Sequence, residues 1–279
     1  MRGEGTNRTY ARQHPNYLRR IGIFAGRTHG KRRQYSKIRA THALDNSGNN
    51  GAHLTAEVQV GMSQAMGTTG ANCVEASPTT VRGYAELERI VRADLHLMDL
   101  LYTASEINLP QCRVVAGCIY QSVWNVLTGR PRGSGINDYD LIYFDASDIS
   151  EGAEKAIERS VQSRLPAFPA PIEVRNQARV HLWFEGYFGI SYPPLRSADE
   201  AITRYASTTH AIGIRLLQDN QFDVFAPFGL EDIFAMVIRP NYALPNRETH
   251  ERKAARAKSV WPEVTIVPWV SEAAERSPP

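Results

Sequence analysis

Residues 77–270 of this 279-residue chain predict an α/β (α+β) fold. Three observations point there. Apolar residues recur at helical spacing between Tyr84 and Leu101, an apolar strand-glycine-helix unit occupies residues 114–127, and a second apolar strand opens on two acids in G-I-N-D-Y-D-L-I-Y-F, residues 135–144. The chain is 42% hydrophobic, enough for a sizeable core.

Ser77-Pro78 predicts a helix start, with serine as cap and proline at the first helical position. Tyr84, Leu87, Ile90, Val91, Leu97, Met98 and Leu101 then mark one amphipathic helix running to about Ser105. Leu109-Pro110 breaks the chain before a strand at 113–116, and Gly117 turns it into a helix over 119–127 that stops at Gly129. The loop Arg130-Pro-Arg-Gly-Ser-Gly135 leads into the acidic strand. Ser150 caps a helix to about Ser163, with Glu151 and Glu154 suited to the positive end of its dipole. A proline-rich link over 166–171 returns the chain to a strand centred on Glu173, and Asn176 caps a helix over 177–185. Further on, the sequence predicts a helix near 199–205, strands at 212–217 and 223–226, a turn at 227–229, a helix near 230–234 and a strand at 236–238. The last helix, 246–260, carries Arg247, Arg252, Lys253, Arg256 and Lys258, which could face a nucleotide or an acidic partner, with a solvated face as the favoured reading. His181 reads as structural, because no His-x-x-x-His or Cys-x-x-Cys spacing supports zinc.

The D-x-D pair carries the chemistry. On a strand, Asp138 and Asp140 project from the same face about 7 Å apart, and two like charges there need a cation between them or a shared proton. Upstream, Gly117 lets a ligand approach the backbone, and the amides of the helix that follows favour an anion. Arg130 and Arg132, on the loop before the pair, are candidate phosphate ligands through their guanidinium forks. Asp145 and Asp148 read as turn and capping residues.

This order of parts resembles the nucleotidyltransferase superfamily built on the polymerase-β palm: a glycine followed by Gly or Ser, then D-x-D, then a third acid on a later strand. A-G-C-I-Y-Q-S-V-W-N-V-L-T-G-R-P, D-Y-D-L-I-Y-F-D, V-R-N-Q-A-R-V-H-L-W and A-P-F-G-L-E-D-I-F-A-M are more narrowly similar to a family of bacterial nucleotidyltransferase-like proteins, over roughly residues 81–270. The resemblance implies a polymerase-β-like palm whose mixed sheet is flanked by helices. It also implies metal-dependent transfer of a nucleoside monophosphate from an NTP to an acceptor it does not identify. Gly117 matches the pattern's glycine, Asp138 and Asp140 the paired metal-binding acids, and Glu173 the third acid, as ligand or proton acceptor. Mg2+ or Mn2+ is the implied cofactor. Cys118 stands where Gly or Ser is preferred, and since a thiol donates weakly, Ser122 one turn on is the candidate to supply a hydroxyl.

Charge divides the chain. Residues 1–42 hold eleven basic residues against Glu4 alone, a net of +10, whereas the remaining 21 basic and 28 acidic residues give −7. Residues 1–76, basic and then rich in Gly, Asn, Ser and Thr, are expected to be a disordered extension, 77–270 the catalytic domain and 271–279 a disordered tail. Other readings of the basic segment are a nucleic-acid-binding arm, a coding start placed too far upstream with Met62 and Met66 as later starts, or, least favoured, a transit-like leader. Cys73, Cys112 and Cys118 form no disulfide framework, and no run of about 18 apolar residues exists to span a membrane, so a cytoplasmic protein is expected. Two alternatives to the enzyme stay open: a palm-like protein that binds nucleotide without turnover, and a nucleic-acid-binding protein that works through the basic arm.

Overall fold

The computed structural model describes residues 78–270; the basic extension, Cys73 and the tail from 271 lie outside them. The expected α/β (α+β) architecture is present. A five-stranded mixed sheet has the order β3-β2-β1-β4-β5, with β1 at Arg113–Val115, β2 at Tyr139–Tyr143, β3 at Ile172–Asn176, β4 at Gly213–Leu216 and β5 at Phe222–Phe225. β2 and β3 run parallel and the other pairs antiparallel. Chain order explains this: β2 reaches β3 through α4, Glu151–Arg164, whereas β4 turns directly into β5.

Two helices, not one, open the fold. α1, Pro78–Arg92, ends where Asp94 takes an extended conformation and caps α2, Leu95–Ile107, accepting from the amides of His96 at 3.1 Å and Leu97 at 3.2 Å. An aspartate at this position offers the backbone a better partner than helix continuation does, and it overrides the apolar period that crosses it. α3, Gly117–Leu127, follows β1 directly.

α2, α3 and α4 pack on one face of the sheet, with α1 laid over α2 and α3, around a core that includes Leu87, Leu97, Leu101, Val114, Trp124, Leu141, Val174 and Trp261. The alternation of β2 sends Tyr139, Leu141 and Tyr143 into that core and leaves Asp140 and Ile142 on the opposite face. The predicted helix over 177–185 is instead a 3₁₀ turn, Gln177–Leu182, followed by the short α5, Phe184–Phe188. Asn176 caps the turn as expected, through the amide of Ala178 at 3.1 Å.

After α6, Ala198–Thr203, and the central strands come α7, Glu231–Phe234, and α8, Arg247–Val260. α8 is flanked by a two-stranded parallel ribbon, β6 at Val237–Ile238 and β7 at Thr265–Ile266, of which only β6 was foreseen. Trp261, just past α8, locks it to α3: its ring meets Trp124 edge-on at 5.3 Å and its Nε1 donates to Asn125 at 3.1 Å. Gly135 belongs to this contact, since φ is +73° and a Cβ there would sit 2.6 Å from the Trp261 ring. No helix among the described residues is long and apolar enough to cross a membrane.

Candidate functional site

A cavity of about 370 Å³ lies on the sheet face that carries Asp140. Asp138, one residue ahead of β2, and Asp140 within it both line the cavity. Glu173 lines it too, because the parallel β2–β3 register sets it directly beside Asp140. Three carboxyls therefore share one recess. Burial first, then the charges of Asp138 and Glu173, push the Asp140 carboxyl up to about 8, against the opposing pull of Lys253 and Arg175. Glu173 is buried, with Arg175 at 3.5 Å, and Arg175 also binds Glu158 at 2.9 Å.

Gly117 lines the cavity at the head of α3, where the Ile119 amide already donates to the Ala116 carbonyl at 3.0 Å and the Gly117 and Cys118 amides precede the first intrahelical acceptor. Ala116 takes the positive φ of the turn, +56°, and Gly117 allows close approach, since a Cβ there would press on Gln121 Nε2 at 3.2 Å. Cys118 and Ser122 point away from the cavity. The Cys118 thiol is buried against the Val115 carbonyl at 3.5 Å, and burial, together with Asp140, holds it well above its usual value. The Ser122 hydroxyl donates to Asp94 at 3.1 Å. Nor does the loop before β2 bring its arginines to the cavity: Arg130 pairs with Glu263 at 3.0 Å, and Arg132 is exposed on the surface.

The cations that do line the cavity come from α8, for whose basic residues the sequence favoured a solvated face over one turned to a nucleotide. Arg252, Lys253 and Arg256 face the acids from across the recess. Burial lowers the Lys253 ammonium while Asp140 and Asp138 pull it back up, so the two sides feel each other's charge. Arg256 is steadied by donating to the Gly135 carbonyl at 2.6 Å. Several buried polar atoms of the lining have no hydrogen-bond partner: Gln121 Oε1, both ring nitrogens of His210, Asn246 Oδ1 and the Arg252 Nη atoms. Such groups are costly to leave unpaired, so their concentration around one cavity marks a place for a polar ligand.

Residues 102–266, more than half of the chain, match a family model described as "Nucleotidyltransferase". The chain belongs to that nucleotidyltransferase family. As such it is an NTP-using transferase, as the resemblance implied. No curated protein matches it. Among solved structures, one described as revealing a CCA-adding enzyme head domain aligns with a TM-score of 0.55 at 21% identity, covering 66% of this chain and 96% of that one. This establishes the shared fold, the polymerase-β-type palm. A CCA-adding enzyme in complex with CTP aligns with a TM-score of 0.41 at 14% identity, over 68% of this chain and 44% of that one.

Within the nucleotidyltransferase, Gly117, Asp138, Asp140 and Glu173 thus meet at one cavity, while Cys118, Ser122, Arg130 and Arg132 lie elsewhere. Among the described residues, no three His, Cys, Asp or Glu side chains converge into a ready-made metal cage. The carboxyls of Asp138 and Asp140, with Glu173 beside them, are the oxygen donors on offer to a divalent ion.

Proposed function

We propose that this cavity carries out a Mg2+- or Mn2+-dependent transfer of a nucleoside monophosphate from an NTP to a hydroxyl acceptor. The observation that carries the reading is the opposition of Asp138, Asp140 and Glu173 to Lys253 and Arg256 across one recess, with the Asp140 carboxyl pushed up to about 8. Crowded carboxyls of this kind call for a cation. Mg2+ suits such a set without a protein cage, because it takes one or two carboxylates and fills its remaining positions with water and substrate phosphate. Asp138 and Asp140 are the residues that would hold it. When bound, the ion acidifies the attacking hydroxyl and neutralises charge on the leaving pyrophosphate.

The chain's own groups do the rest. Lys253 supplies a point charge and Arg256 a planar fork to the β- and γ-phosphates. Gly117, lacking a side chain, lets a phosphate reach the amides at the head of α3. Glu173, oriented by Arg175, accepts the proton of the attacking hydroxyl. Gln121 Oε1 and the His210 ring nitrogens, buried without protein partners, offer hydrogen bonds to the sugar and base.

Incubation with each α-labelled NTP, Mg2+ or Mn2+ and a cell extract tests the reading. Label passes to an acceptor with the wild type, stops on chelation with EDTA, and falls to background with Asp138→Asn/Asp140→Asn. Transfer by that variant at the wild-type rate would overturn it.

A further inference from the structure

One side of the cavity has a different character from the acids and the α8 cations. Beyond Glu173 the chain runs through the 3₁₀ turn into α5, and Val180, Phe184, Phe188, Ile190, Tyr192 and Leu244 form an apolar wall. Apart from Ile190 these side chains belong to one hydrophobic cluster, separate from the main core, and Phe184, Phe188, Ile190 and Leu244 are only partly buried. The wall lines the same cavity as Glu173, the acid that takes the acceptor's proton in the reading above.

We propose that the acceptor is a small, uncharged molecule whose hydroxyl is presented on an apolar body seated in this lobe. The proposal rests on the nucleotidyl-transfer reading and adds the class of its second substrate. Charge is the first argument. Arg204 and Arg175, which border the lobe, are already neutralised, by Glu200 at 2.6 Å and by Glu158 at 2.9 Å, while Arg252, whose Nη atoms have no hydrogen-bond partner, belongs to α8 with Lys253 and Arg256. A polynucleotide needs cations that its phosphates can claim.

The second argument is ring geometry. Phe184 stands 4.2 Å from Tyr192 and 4.4 Å from Phe188, and Tyr192 also carries the Arg204 guanidinium 4.9 Å above its ring. Rings tilted against one another, by 32° and 35°, offer no pair of parallel faces between which a base could slot, and make an apolar wall instead. Size is the third: about 370 Å³ falls within the range of small-molecule sites, and part of it is needed for the nucleotide.

In the reaction the acceptor's hydroxyl oxygen bonds to the α-phosphorus and gives its proton to Glu173. The bond from that phosphorus to the α,β-bridging oxygen breaks, and pyrophosphate leaves with the electron pair. The product is a nucleotidyl ester of the acceptor.

The test uses the full chain with labelled NTP and Mg2+. The probe acceptors are ethanol, cyclohexylmethanol and 2-phenylethanol, set against an oligoribonucleotide with a free 3′-hydroxyl and a serine- and tyrosine-containing peptide. The two large alcohols should exceed ethanol at least tenfold in kcat/KM for ester formation. Phe188→Asp, and separately Ile190→Asn in case the first fails to fold, should raise the alcohol KM at least tenfold while the KM for NTP changes less than twofold. Cyclohexylmethanol should also raise the melting temperature of the wild type and of neither variant.

Transfer to the oligonucleotide or peptide but not to the alcohols, or equal efficiency along the alcohol series, overturns the lobe's assignment and leaves nucleotidyl transfer standing. Stabilisation by cyclohexylmethanol with no NTP turnover on any acceptor overturns the transfer reading itself, and the acceptor role with it.

Discussion

Ala116, and not the glycine beside it, carries the positive φ of the turn between β1 and α3. Its φ of 56° and ψ of −117° place a Cβ where L-residues rarely go, while its amide donates to the Ile212 carbonyl at 2.9 Å and fixes the turn. Strain of this kind costs on the order of 1–3 kcal/mol, partly offset by the greater freedom glycine has in the unfolded chain. Ala116→Gly is therefore expected to raise the unfolding free energy by about 1 kcal/mol, read by urea denaturation. A loss of stability would show that the turn is relaxed as it stands. The neighbouring residues show what was legible here. Gly117 and Gln121 share one helical row and face the cavity, whereas Cys118 and Ser122 share the next row and are buried away from it. That split is a helical-wheel consequence, available from the sequence once α3 is taken to begin at Gly117 rather than at 119. Asp138 and Asp140 could be read as sharing a face from strand alternation, whereas Glu173 was matched only through the resemblance, its place beside Asp140 depending on a parallel register that joins distant segments; the fate of Arg130 and Arg132 was not legible, because loop direction depends on a distant partner, Glu263.

At the scale of elements, α8 is the piece whose orientation the sequence left open between a nucleotide-facing and a solvated face. Its buried stripe is His250, Ala254 and Ala257, too weakly apolar for periodicity to reveal which side faces inward, so the solvated reading of its cations was favoured. The structure sorts them. Arg252, Lys253 and Arg256 turn to the cavity, while Arg247 pairs with Glu251 on the exposed side. Charge-assisted hydrogen bonds are worth about 1.5–3 kcal/mol each, so Lys253→Ala or Arg256→Ala should weaken NTP binding by roughly 10- to 100-fold in calorimetric titration. Arg247→Ala and Arg132→Ala serve as controls and should leave it unchanged. Equal affinity in all four variants would remove α8 from the phosphate site. A second element-level contact holds the corner after β3: Glu154 on α4, buried, binds Arg179 at 2.9 Å and accepts the Asn176 amide at 2.8 Å. Strands β1 and β2 were legible from their apolar runs and β3 from the proline-rich link before it, whereas this corner rests on partners about 25 residues apart in sequence, which local patterning does not reveal.

Across the whole molecule, the cavity face of the sheet, α8 and the β6–β7 ribbon meet at two buried histidines. His250 lies within hydrogen-bond reach of the Ser207 hydroxyl through Nδ1, at 2.8 Å, and of the Val267 carbonyl through Nε2, at 3.1 Å. His210 stacks on Tyr120 at 5.0 Å with both ring nitrogens unpartnered. Burial first, and then the charges of Lys253 and His250, hold His210 well below the ordinary imidazole value of 6.5. The sign of its effect on stability follows from proton binding. Above about 6.5 neither state carries the extra proton; below it the unfolded chain takes one up and the folded chain does not, so stability is lost as the pH falls. Asp140, pushed the opposite way, titrates in the same manner in any variant that keeps it, and its contribution cancels in a comparison. His210→Phe keeps a ring against Tyr120 and removes the titrating group. Between pH 7.5 and 5.5 the wild type should lose stability relative to this variant, at up to about 1.4 kcal/mol per pH unit below 6.5, measured by chemical denaturation at each pH. Parallel profiles would mean that His210 takes up its proton within the folded protein, and a charged imidazole could not act as the neutral donor and acceptor that the nucleotide site requires.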